Sequence, residues 1–242
     1  MDFGRMIRTR QFWLAVLAAL AGLLLGTVWP QWEKHTVFPS GMFLELTKGS
    51  LQSRIVIFCI PVIAVIPWGE EYIRERQWNF LRFLIIRKGK KLYCLDRAVT
   101  TAIAGGMVWL IASFTQFLFF FLLFFWKEEI FVFSWEDFLE YFQVLGRICL
   151  TASCLACLGG IVGAVSRSVY LSMGIPFVLY FSLVMIRERY LNRLYCMDPR
   201  EWVLKEEYWG EQGRGLWIFL LLLWIGLTVI YEKILESRLE EI

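Results

Sequence analysis

Apolar residues in this chain gather into six long stretches parted by shorter polar ones. They run from about 12 to 28, 49 to 68, 98 to 126, 138 to 165, 169 to 186 and 215 to 231. The pattern predicts an all-α, polytopic membrane protein with six transmembrane helices, in one membrane domain covering residues 1–242. The run from Phe117 to Phe125 has no polar face. A helix in water needs one, and a helix surrounded by lipid does not.

The first stretch follows Arg5, Arg8 and Arg10 and is closed by Pro30, with Trp29 and Trp32 where an interfacial aromatic belt is expected. Its length and the lack of a small-residue cleavage site favour an uncleaved span over a secretory signal. The second stretch is interrupted by Arg54, and its apolar part, Ile55 to Trp68, is short for a hydrocarbon layer of about 30 Å. Its helix is therefore expected to begin near Gly49, with Arg54 snorkelling or facing protein, and to bend at Pro61. The fourth stretch is rich in Gly, Ala, Ser and Cys, and Ser166-Arg167-Ser168 makes a tight turn to the fifth, which carries Pro176. A charged tail, Glu232 to Ile242, follows the sixth.

Two polar segments carry helical patterns of their own. Between Gly69 and Arg97, Tyr72, Arg76, Phe80, Phe83 and Arg87 share one face, and Ile73, Trp78, Leu81 and Ile85 another. One or two amphipathic helices at the membrane surface are expected, with Gly89 as a stop. A basic loop that touches anionic lipid would read the same way. In the last loop, Asp198 suits a helix cap, Pro199 the first position, and Glu201 completes a box-like pattern. Trp202, Leu204, Tyr208 and Trp209 make that segment amphipathic and Gly210 ends it, which predicts a short interfacial helix on the outer side.

Composition agrees with the pattern: 58% of residues are hydrophobic and 19% charged. A net charge of +3 is too small to point to nucleic acid. The dense basic cluster from Arg74 to Arg97, together with the three arginines near the amino terminus, places both termini in the cytoplasm. Cys154 and Cys157 form a C-x-x-C pair, but within an apolar helix beside Gly159, Gly160 and Gly163. Small residues at a helix contact explain them better than a zinc or redox site.

The layout resembles the permease subunits of type-2 ATP-binding-cassette (ABC) exporters. The local likeness lies in Glu70-Glu71 through Arg87-Lys88, in Lys90-Lys91-Leu92-Tyr93 and in Asp96-Arg97. The resemblance implies a cytoplasmic coupling helix after the second span, from about Glu70 to Ile86. Glu70, Glu71, Arg74 and Arg76 would meet an ATPase there, with Trp78 and Phe80 as packing groups. It also implies two ATPase subunits and a second permease chain, identical or related, in a bacterial plasma membrane. The chain has no G-x-x-x-x-G-K-[ST] phosphate loop, so no cofactor is expected in it and ATP with Mg belongs to the partner. The route for cargo would run between the second and fifth spans, where Phe58, Pro61, Ile175, Pro176 and Leu179 are the candidate lining or hinge residues. Helix packing or lipid contact would account for those five equally well.

Few charges fall within the stretches, which argues against a proton relay. An apolar or amphipathic cargo fits better: a lipid, a hydrophobic drug or an antimicrobial peptide, and the resemblance to exporters implies outward movement. An enzyme would need an activated nucleophile or a metal at membrane depth. The single histidine, His35 near Glu33, lies in a loop, and Ser113, Thr115 and Ser153 have no activating partner in the sequence. No catalytic or metal-binding residue is expected. The remaining alternatives are a secondary carrier and a non-transporting membrane scaffold or immunity protein.

Overall fold

The computed structural model describes residues 3–28, 41–69, 71–77, 81–124, 135–191, 193–210 and 213–240. Trp29, Pro30, Trp32, Glu33, His35, Glu70, Trp78 and Phe80 lie outside them. The described residues form eleven α-helices and one 3-10 turn, with no strand. They are α1 (Phe3–Ile7), α2 (Arg10–Gly26), α3 (Met42–Leu51), α4 (Arg54–Ile63), α5 (Glu71–Gln77) and α6 (Leu81–Lys88), then α7 (Lys90–Phe124), α8 (Trp135–Ser166), α9 (Val169–Arg189), α10 (Pro199–Leu204) and α11 (Arg214–Glu240). Four of them, α7, α8, α9 and α11, are long and apolar enough to cross a membrane, and α3 with α4 makes a fifth if the bent pair is one span. The chain is a multi-pass membrane protein built of helices.

The second stretch departs from the expected single helix starting near Gly49. The chain breaks at Gln52 and Ser53, and α3 and α4 meet at 56°. Ser53 is the reason, since its hydroxyl accepts from the backbone N–H of Val56 and starts a fresh helix. Arg54 is thus the exposed first residue of α4. Pro61 does not set the bend, because it sits in the last turn of α4, which ends at Ile63. The break lies at Gln52 and Ser53, eight residues before Pro61.

α8 is the central post: 67% of its most apolar window is buried, against 17–39% in the other three long helices. Small residues let neighbours close on it. A side chain at Gly105 of α7 would strike the Ala152 carbonyl at 2.6 Å, and one at Gly160 would strike the Tyr231 ring of α11 at 2.7 Å. Gly159 receives Val65, and Gly163 receives Ser172 and Ile73. Cys154 and Cys157 are buried in the same helix as free thiols, in keeping with a packing role. α2 packs on α4 and α7. A buried polar knot joins these layers, with Gln116 of α7 donating to Thr27 Oγ1 at 3.3 Å and Ser50 Oγ at 2.9 Å. Such hydrogen bonds matter in lipid because water is absent to replace them.

Outside the long helices, the two patterned segments fold as short helices. α5 and α6 divide the first, and Gly89, in a left-handed conformation (φ 79°), turns α6 into α7. In the second, Asp198 caps α10 by accepting from Arg200 N–H, with Pro199 at the first position. Two details differ from expectation. Lys205 (φ 58°), not Gly210, ends α10. Glu201 does not close a reciprocal box, because the Asp198 N–H is already given to the Tyr195 carbonyl. Its carboxylate instead accepts from the backbone of Glu206 and Glu207, both at 3.1 Å. The charged tail is no separate segment, for α11 continues unbroken to Glu240.

Candidate functional site

On α5, the sequence places Glu71 and Glu75 one turn apart, and on α7, Tyr93 and Arg97 likewise. Side chains four apart in a helix share a face, so each helix offers a matched pair. The structure brings the two faces together. Glu75 accepts from Tyr93 Oη at 2.8 Å, from Arg97 Nη2 and from Arg5 Nη1 of α1 at 2.8 Å. Arg5 Nη2 reaches on to Glu71 at 3.1 Å. Glu75 is 3% exposed and Arg97 is fully enclosed. The Arg97 guanidinium lies 5.2 Å from the Trp68 ring centre and 5.6 Å from that of Tyr93, within range of their π faces. Lys88 pairs with Asp96 at 2.7 Å on the exposed side of the same junction.

This cluster fastens three parts of the chain to one point: the amino-terminal helix, the short α5 after the second stretch, and the base of α7. Charge at such a place is costly to bury and costly to strand. One carboxylate serving two guanidiniums and a phenol gives the junction a fixed geometry.

The expected contact residues fall around this cluster unevenly. Glu71 is already engaged by Arg5, and Arg74 is exposed on α5. Arg76 turns the other way, into a cleft of about 330 Å³ whose lining includes Tyr72, Ile73, Gln77 and Arg167. Burial pushes the Tyr72 phenol up, against the pull of Arg76 and Arg167. Glu75 was the residue that sequence reasoning passed over. An acid within a basic segment reads as a solvated charge, and only the spacing of Tyr93 and Arg97 hinted at a buried partner.

The expected route residues lie along α4 and α9. Phe58 is 53% exposed and sets its ring against Phe177 at 5.6 Å and Phe181 at 5.4 Å. Phe177 and Phe181, one turn apart, were not singled out in the sequence. Pro61 and Pro176 are buried, Ile175 is half-buried and Leu179 faces outward. α9 continues through Pro176 without a break.

No protein-family model matches the chain, and no curated protein does. Among the described residues, no three His, Cys, Asp or Glu side chains lie close enough together to hold a metal ion. The arrangement is an ion-paired hub that joins the short α5 to α7, the longest of the described helices.

Proposed function

We infer that the chain is the permease subunit of an ABC exporter and moves an apolar or amphipathic cargo outward: a lipid, a hydrophobic drug or an antimicrobial peptide. In this reading α2 and the α3–α4 pair join α7, α8, α9 and α11 as six spans, and both termini are cytoplasmic. α2, at 17 residues, is about 26 Å long, near the lower limit for a span. Its outer side carries Trp13, Leu14, Leu17 and Leu25, all exposed, as suits a lipid-facing surface.

The observation that carries the proposal is the anchoring of α5 on α7 through Glu75 and Arg97. A short helix that follows the second stretch and is pinned to a long membrane helix is suited to pass on a push. Two ATPase chains binding ATP and Mg would supply it, each against α5 of one of two permeases. Arg74, exposed on α5, is the first contact to test.

The test is to co-express the chain with candidate ABC ATPase chains and purify the assembly from a bacterial plasma membrane. A stable complex whose ATPase rate falls at least five-fold in Arg74→Glu, with the melting temperature unchanged, is expected. Failure of every ATPase chain to bind overturns the reading and leaves a carrier or a non-transporting scaffold or immunity protein.

A further inference from the structure

At the far end of α4 and α9 from the Glu75 hub lies a cleft with an apolar wall and a charged rim. The two helices are antiparallel here. Ser172, near the start of α9, donates to the Gly69 carbonyl at 3.4 Å, whereas Phe181, further along, packs on Phe58. The cleft, of about 470 Å³, therefore opens beside the start of α4, the end of α9 and the short α10. Its apolar wall is made by Ile57, Phe58, Phe181 and Leu204, and its rim is charged.

Most of the rim charges are satisfied inside the protein. Asp198 holds Arg187 at 3.5 Å and Arg200 at 3.0 Å. Arg200 also pairs with Glu188 at 2.6 Å, Arg187 pairs with Glu207 at 3.0 Å, and Glu201 accepts two backbone N–H groups. Two charges differ. Among the described residues, the Arg54 guanidinium and the Glu206 carboxylate line the cleft and make no hydrogen bond or ion pair. One positive and one negative group are thus left over at the mouth of an aromatic slot.

We propose that this cleft binds a zwitterionic phospholipid of the phosphoethanolamine type. Arg54 takes the phosphate, for which a planar guanidinium offers two parallel N–H donors. Glu206 takes the ammonium. The acyl chains leave along Phe58, Phe177 and Phe181 onto the outward face of α9, where Val178 is 60% and Leu179 38% exposed. From Phe181 to Arg187, six residues of helix rise about 9 Å, the distance from the top of the hydrocarbon to the head groups. A water-soluble anion would use Arg54 alone and leave the aromatic wall idle, and an anionic lipid would leave Glu206 facing a like charge. The proposal depends on the membrane placement of α4 and α9 and on no ATPase partner, so it and the exporter reading stand or fall separately.

The experiment uses the purified, delipidated full chain in detergent and reads the lipid-bound fraction by native mass spectrometry. The probes are phosphatidylethanolamine and phosphatidylglycerol with the same acyl chains, and free O-phosphoethanolamine. Phosphatidylethanolamine is expected to be retained at least five-fold over the other two. Arg54→Gln should lower that retention at least five-fold, and Glu206→Gln should bring phosphatidylethanolamine down to the level of phosphatidylglycerol. Neither side chain has a partner among the described residues, so both variants should melt with the parent. Equal retention of the two lipids by the parent overturns the proposal. So does retention of free O-phosphoethanolamine equal to the lipid, or variants that bind as the parent does.

Discussion

The carboxylate of Glu75 on α5 and the guanidinium of Arg97 on α7 meet where water has no access. Arg5 and Tyr93 complete the shell of the carboxylate. Removing one side of a buried pair strands the other, and the cost of a stranded charge exceeds the net worth of the pair.

Glu75→Ala should therefore destabilise the protein by about 3–5 kcal/mol, read as a fall in melting temperature in detergent. The double change Glu75→Leu with Arg97→Met removes both charges and should recover most of that loss. A double variant no better than the single would place the cost in packing rather than in charge.

Arg5 tells a different story, because its side chain is 41% exposed. Arg5→Ala should cost about 1 kcal/mol or less in global stability. Its local effect should be larger: limited proteolysis near α1 should speed up several-fold while the main transition hardly moves. A main transition that shifts as far as in Glu75→Ala would show that the hub cannot hold α5 without α1.

The glycines at helix contacts can be ranked by what lies opposite. Gly105 faces the backbone of α8, which cannot yield, whereas Gly226 of α11 has nothing within 4 Å. Gly105→Ala should cost about 1–3 kcal/mol by forcing α7 from α8. Gly226→Ala should be neutral or stabilise by up to about 1 kcal/mol. Melting curves of the two variants side by side make the comparison, and equal effects would refute the packing assignment.

Asp198 caps α10 and also holds Arg187 and Arg200. Asp198→Ala should cost about 1–3 kcal/mol locally. The nearby Cys196, whose carbonyl accepts from Trp202 Nε1 at 2.9 Å, reports on it. Labelling of Cys196 by a membrane-impermeant maleimide should rise at least three-fold in the variant. Unchanged labelling would mean that the tryptophans, not the cap, hold the loop.

The helices of the membrane domain were legible because lipid simplifies the code. A run such as Phe117 to Phe124 needs no second face, and α8 and α9 fall close to their expected limits, whereas α7 begins at Lys90 and α11 continues to Glu240, well beyond their apolar stretches. The division of the second stretch was not legible, since the short polar run Gln52-Ser53-Arg54 reads as an interruption within one helix and the fresh start depends on one hydroxyl. α10 was readable from Asp198-Pro199, but its end was not, because nothing in Lys205 announces a left-handed backbone. At the hub, Tyr93 and Arg97 entered only as parts of a basic run before the third stretch, and Glu75 was hidden among charges that mostly face water. Contacts between distant helices, such as Phe58 with Phe177 and Phe181, leave no local trace at all.

Only Arg167 and Ser168 separate α8 from α9, and Arg167 turns the chain with φ 58°. Below the turn, Ser172 donates to the Gly159 carbonyl at 2.8 Å. A hairpin with so little slack behaves as a single lever. On its other side α9 meets α4 through the rings of Phe58, Phe177 and Phe181, a contact made by apolar packing and not by a short turn.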